Sequence, residues 1–280
     1  MTAATPIDEE SRVTSLHAFD LALHIGAGAD AEAAPEIARR FVFVEPDPDA
    51  AASLRARMAD NAAVEIIEAA VSGDAASRTL HVFNAPGYAS LRQPTGLRRL
   101  FPGLETLRAV TVETLTPSAL LSGRELPEDA RLLLIVDAPG EELPVLKGLF
   151  EAVDPERFAE IRFRCGETAL YEGAEGPEAV CALLRRAGFR VEAAALPDDP
   201  DRPLRVARPD HAAALRKLKT LLSERDEALK AAEAKRAAAE GDLAKTRETL
   251  AERDKALSER DEALKAAEAK RAAAEGDLAK

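Results

Sequence analysis

Two segments of this chain, about twenty residues apart, decide most of what it can fold into. Leu21-Ala-Leu-His-Ile-Gly-Ala-Gly-Ala-Asp30 reads as a buried strand running into a glycine turn. Phe41-Val-Phe-Val-Glu45-Pro46 reads as a second buried strand that ends in a carboxylate. An α/β half of this kind builds a site for a nucleotide or nucleoside. Its glycines let the backbone approach the ligand, and the acid at the second strand's tip accepts hydrogen bonds from ribose hydroxyls. Where the usual pattern has a third glycine, this chain has Asp30. That charge sits badly against a pyrophosphate and less badly against a cofactor without phosphates.

The rest of the first 210 residues alternates strand and helix signals. Strands are expected at Phe19–Ile25, Phe41–Val44, Val64–Val71 and Leu80–Phe83, the last as a short hairpin partner. Helices are expected around Ala31–Arg40, with Pro35 in its early part, and over Asp49–Asn61. A loop rich in proline and glycine follows from Pro86 to Gly103, long enough to cover a pocket. Val110–Leu115 reads as another strand. Arg131–Val136 is almost wholly aliphatic, which marks a central parallel strand. Its helix covers Gly140–Phe150. Ile161–Cys165, a helix over Pro177–Ala187 capped by Gly188, and strands at Phe189–Ala195 and Leu204–Ala207 complete the set. Pro197 to Pro203 separates the last two strands, so they are expected to form an antiparallel hairpin. The pattern predicts an α/β fold: a Rossmann-like, mostly parallel sheet with a terminal antiparallel hairpin.

From His211 onward the chain changes character. Leu222–Lys245 recurs unchanged at Leu257–Lys280, an offset of five heptads. Leucines stand every seventh position at Leu215, Leu222, Leu229, Leu243, Leu250, Leu257, Leu264 and Leu278, with Arg236 and Arg271 breaking the series. Three residues on lie mostly alanines and arginines. The expectation is a C-terminal helical, coiled-coil repeat with a thin seam and weak self-association. A free-standing charged helix, kept soluble by i,i+4 Glu–Lys pairs, is the alternative.

Charge narrows the choice of partners. The whole chain holds 38 basic and 50 acidic side chains, and 16 and 15 of these lie in the tail, so the first 210 residues carry 22 and 35. A net of −13 there disfavours nucleic acid and anionic membrane surfaces. Cys165 and Cys181 are too few for a disulfide scaffold and lack zinc spacing, which fits free thiols in a reducing cytosol. No apolar stretch is long enough to span a bilayer, and residues 1–10 lack the features of a signal or transit peptide. A cytoplasmic protein is expected. The four histidines are scattered, so no metal site is expected.

Several of these residues carry a resemblance to a known family. The matching features are Gly26-Ala27-Gly28, Glu45-Pro46, Glu68-Ala-Ala-Val-Ser72, Ser90-Leu91, Val112-Glu-Thr-Leu115, and Asp137-Ala-Pro-Gly140-Glu-Glu142-Leu-Pro-Val-Leu146-Lys-Gly148. In that order and spacing the chain resembles the FkbM family of S-adenosylmethionine-dependent methyltransferases from about Phe19 to Ala207. The resemblance implies methylation of a hydroxyl, typically on a sugar or glycan-linked product. It divides the chain into an N-terminal extension (1–18), a methyltransferase domain (19–210) and the heptad-repeat tail (211–280). Gly26, Ala27, Gly28, Glu45 and Ala70 are the expected cofactor-binding residues, with Ala69 and Ala70 beside the adenine. Asp137 is the expected catalytic residue, at the tip of a central strand.

Each assignment has a purely structural counterpart. Glu45 can be a solvated acid capping the next helix, the glycines can serve tight packing, Ala69 and Ala70 can be a plain core strand end, and Asp137 can be the N-cap of a helix that Pro139 begins. The chain also departs from the family. His24 stands where the family usually has an acid, and Ile135 and Pro139 stand where it usually has a lysine and an acid around Asp137. Two functions therefore remain: an enzyme of the family, or a catalytically inactive relative kept as a binding module and multimerised by its tail. A dinucleotide oxidoreductase fits poorly with Asp30 and the terminal hairpin.

Overall fold

A computed structural model describes residues 17–124, 127, 129–194 and 199–278. Of the expected N-terminal extension, all but His17 and Ala18 lie outside the described residues, as do positions 195–198 between the last two strands. The chain divides into two compact units, the first reaching His211 and the second starting at Ala212.

The first unit is built on a seven-stranded sheet. Its strands are β1 (Phe19–Ile25), β2 (Ala38–Val44), β3 (Val64–Ile67), β7 (Leu132–Val136), β8 (Phe158–Arg164), β9 (Phe189–Ala193) and β10 (Leu204–Pro209). They lie side by side in the order β3-β2-β1-β7-β8-β10-β9. The first five run parallel, and β10 is antiparallel to both of its neighbours. β1 and β7 are the central pair, and both are nearly continuous apolar runs because both faces are covered. On one face Leu21, Leu23 and Ile25 join a core completed by α3 (Pro117–Leu121), α4 (Glu142–Ala152) and α5 (Pro177–Arg186). On the other, Ala22, Phe41, Phe43 and Leu133 pack with Leu54 of α1 (Pro48–Arg57). The short β4 (Ala70–Val71), β5 (Ser77–Phe83) and β6 (Thr106–Leu115) form a second sheet in the order β4-β6-β5. A small helix, α2 (Leu97–Leu100), sits in the long loop between β5 and β6.

Several sequence expectations change here. The helix expected over Ala31–Arg40 does not form: residues 31–37 are turns and irregular chain, and Ala38–Arg40 already belong to β2. Pro35 cannot donate a helical hydrogen bond and its ring crowds the preceding turn. The strand expected over Val64–Val71 is two strands, broken at Glu68-Ala69 and shared between the two sheets. Leu80–Phe83 is the end of a longer strand whose partner is β6, across the proline-rich loop. The helix expected over Asp49–Asn61 is shorter, ending at Arg57. The terminal hairpin is antiparallel as expected, and Gly188 takes φ +89° just past α5. Cys165 and Cys181 are free and buried.

The second unit lies along one helix, α6 (His211–Leu278), of 68 residues, whose first residue still counts with the first unit. Its leucines from Leu215 to Leu264 are each more than half exposed. Among the described residues no helix is long and apolar enough to cross a membrane.

Candidate cofactor pocket

The C-terminal tips of β1, β2 and β7 open on a pocket of about 780 Å³. Backbone hydrogen bonds stitch the tips together. Gly26 N–H donates to the Val44 carbonyl at 2.8 Å, Asp137 N–H to Ile25 at 2.8 Å, and Glu45 N–H to Ile67 at 2.9 Å. Every site residue expected from the sequence lines this pocket: Gly26, Ala27, Gly28, Glu45, Ala70 and Asp137. Asp30 also lines it.

The two glycines have different reasons to be there. Gly26 has φ +75°, and a Cβ on it would lie 1.9 Å from the Asp137 carbonyl oxygen. Gly28 has φ +69°, but nothing lies within 4 Å of where its Cβ would be. Packing accounts for the first. At the second the free space belongs to the pocket.

Glu45 is 6% exposed. Its Oε2 accepts the Gly28 N–H at 2.6 Å and its Oε1 the Asp47 N–H at 2.8 Å. Burial pushes its carboxyl above the ordinary value, against the pull of those two N–H groups. The helix-capping alternative for Glu45 is overturned: the cap of α1 is Asp47, whose side chain accepts the Asp49 N–H. Arg108 of β6 grips Asp47 at 2.5 Å.

Asp137 is not a helix cap either. α4 begins at Glu142, after Glu141, and the peptide turns through Gly140 at φ +86°. The Asp137 carboxylate instead faces two cations. Arg202 donates to its Oδ1, and Arg164 Nε lies 3.6 Å from its Oδ2. Arg164 also lines the pocket. Arg202 is 1% exposed, and its second NH group donates to the Gly87 carbonyl at 2.6 Å. Its guanidinium lies over the Tyr88 ring, 5.4 Å from the centroid. Asp199 holds the Tyr88 hydroxyl at 3.0 Å, and Tyr171 donates to the Tyr88 carbonyl at 2.8 Å. The loop that walls the pocket is thus pinned by the β9–β10 connection.

Glu141 supplies a further carboxylate to the pocket lining. It is 3% exposed, with Arg92 Nε at 2.7 Å and Ser72 Oγ at 3.3 Å. Sequence reasoning assigned no role to Glu141, Arg164, Arg202 or Arg92. Glu141 lies inside the motif around Asp137. Arg164 stands one residue past Phe163, the register partner of Val136, and so beside Asp137. Arg202, flanked by Asp201 and Pro203 in a turn-rich loop, gives no sequence signal. Ile135 and Pro139 do not leave Asp137 as the only charged group at this tip, because neighbouring strands and the next turn bring others. His24 packs edge-on against Phe43, and burial holds its imidazole down at about 4. It is neutral near pH 7 and does not replace an acid.

Glu142 carries a pH signature. Its Oε2 accepts the Gly140 N–H at 2.9 Å, and burial pushes its carboxyl from 4.5 to about 7. A carboxyl raised on folding binds its proton more tightly in the folded chain. Its contribution is therefore complete below pH 4.5 and is lost as pH rises through about 7. Glu142→Gln keeps an acceptor for Gly140 but cannot ionise. The melting temperature of the wild type minus that of the variant is expected to fall between these two pH values and level off above. A difference independent of pH refutes the assignment.

A sequence profile described as the methyltransferase FkbM domain matches residues 24–191. The chain belongs to the FkbM methyltransferase family. Solved structures similar to this FkbM chain include the methyltransferase FkbM from Methylobacillus flagellatus KT. It has 12% identity and a TM-score of 0.42, over 71% of this chain and 46% of that one. Another is the mitomycin 7-O-methyltransferase MmcR, with 14% identity and a TM-score of 0.34, over 68% and 49%. A third is Aeropyrum pernix fibrillarin with bound S-adenosylmethionine, with 13% identity and a TM-score of 0.37, over 69% and 68%. The chain spans about half the length of the first two. A comparison with curated proteins found no match.

Proposed function

We propose that this FkbM chain is an active S-adenosylmethionine-dependent methyltransferase of the cytoplasm that O-methylates a hydroxyl of a sugar or glycan-linked product. The observation that carries this reading is the convergence of Gly28, Glu45, Ala70 and Asp137 on one pocket. Glu45 would hold the ribose, since each carboxylate oxygen accepts one backbone N–H and keeps a lone pair for a hydroxyl. Ala69 and Ala70 offer the adenine a small apolar slot. Gly26 and Ala27 shape the turn, and the open space at Gly28 admits the cofactor close to the backbone. The cofactor supplies an activated methyl group. Asp137, held between Arg202 and Arg164, would orient the acceptor hydroxyl by accepting its hydrogen bond. Methyl transfer from a sulfonium depends on alignment more than on acid–base strength. The tail, residues 211–280, would associate weakly with a second copy.

Calorimetric titration with S-adenosylmethionine and its demethylated product tests the reading. Binding of both is expected. Glu45→Ala removes the ribose acceptor from a buried site and is expected to weaken cofactor binding by about 1.5–3 kcal/mol. Equal binding by the two proteins would remove the ribose assignment. No binding by the wild type would favour the inactive scaffold multimerised by its tail.

A further inference from the structure

The face of α6 that carries the leucines also carries an ordered set of charges. With Leu215 at heptad position a, the seam positions a and d are Leu215, Leu218, Leu222, Arg225, Leu229 and Ala232, and so on along the helix. The flanking e positions are strongly one-signed. Asp226, Glu233, Glu240, Asp254, Asp261, Glu268 and Glu275 are acidic, against Lys219 and Arg247. The g positions are neutral except for Lys235, Asp242, Lys270 and Asp277. In an antiparallel pair e faces e, which would set most of these acids against one another. In a parallel pair each g faces the e five residues on in the partner. Lys235 then meets Glu240, and Asp242 meets Arg247. Every other g up to Ala263 is uncharged, so no like charges oppose there.

The repeat adds a question of register, which the length of the overlap answers. Sliding one helix past the other by a full repeat keeps leucine against leucine, and it brings Asp277, the duplicate of Asp242, to the Arg247 position. It also halves the overlap, and with it the run of facing leucines and the number of facing charge pairs. The polar seam residues fit as well. Arg225, Arg253 and Arg260 at d are each followed at once by Asp226, Asp254 and Asp261 at e. Neighbours in sequence do not face each other on one helix, but a d side chain lies beside the partner's e position. Arg236, which interrupts the leucines, is held by Glu240 of its own helix at 2.9 Å.

We propose that α6 pairs with the α6 of a second copy of this chain as a parallel, in-register coiled coil. The proposal rests on the self-association reading of the tail and adds its direction and register. Sedimentation of the full chain is expected to show a monomer that becomes a dimer with rising concentration and grows no further. Oxidation of an Ala232→Cys full-length variant is expected to give a covalent dimer. A mixture of Ala232→Cys and Ala267→Cys chains is expected to give only like-with-like dimers. Arg247→Glu should raise the dimer dissociation constant severalfold, and adding Asp242→Lys should restore it.

A monomer at every concentration would remove self-association itself. A dimer of the Ala232→Cys variant that does not cross-link on oxidation would overturn the parallel direction. A mixed cross-link between the Ala232→Cys and Ala267→Cys chains would overturn the register. Continued growth beyond a dimer would overturn the two-stranded form.

Discussion

Gly26→Ala is expected to destabilise the first unit by about 2–5 kcal/mol. A left-handed backbone costs a residue with a side chain about 1–2 kcal/mol. Forcing a methyl group into filled space adds about 1–3 kcal/mol. Both apply at Gly26, whose φ is +75° and whose added Cβ would overlap the Asp137 carbonyl at 1.9 Å. That carbonyl belongs to a strand end tied to β1 through Asp137 N–H and Ile25 at 2.8 Å, so it has little room to retreat. Gly28→Ala is the matched control. Its φ is +69° but nothing crowds the new methyl, so only the backbone contribution of about 1–2 kcal/mol remains. Denaturant melts of the two variants should separate clearly. If the close-approach reading of Gly28 is right, its variant also binds S-adenosylmethionine more weakly despite its milder loss of stability. Equal melting of the two variants would show that the β1 and β7 tips can part.

Arg202→Met is expected to cost about 3 kcal/mol of stability. Removing one member of a buried ion pair leaves the other charge uncompensated, a loss of about 3–5 kcal/mol. The lower end applies because the Asp137 side chain is 27% exposed and keeps Arg164 at 3.6 Å. The Gly87 carbonyl also loses its donor and the Tyr88 ring its cation. The double variant Arg202→Met with Asp137→Asn removes the stranded charge and should recover a good part of the loss. Coupling near zero in this cycle would show that Arg202 acts through groups other than Asp137.

What could be read from the sequence followed from local rules. Buried parallel strands announce themselves as aliphatic runs, and β1, β2 and β7 do so. The turn Gly26–Gly28 and the acid ending β2 both fall at sequence positions that the fold brings to one pocket. What could not be read depends on pairings far apart in the chain. Residues 31–37 look helical in composition, yet Pro35 stands among them and Ala38 is already committed to pairing with β1. Glu68 looks like strand interior, yet the chain changes sheet there. The cations around Asp137 come from a strand end 27 residues on and a loop 65 residues on, and no spacing rule connects them. Pro139 suggested a cap at Asp137 because proline favours the first turn of a helix. In the structure the turn through Gly140 delays the helix to Glu142.

The tail's duplication has a consequence for how such proteins diverge. A helix rises about 1.5 Å per residue, so α6 is a rod roughly 100 Å long. Unequal exchange between the two identical 24-residue copies would add or delete 35 residues at a stroke. Because 35 is a whole number of heptads, the leucine stripe would emerge on the same side of the helix each time. The rod would change length in steps of about 52 Å without any new surface having to be selected.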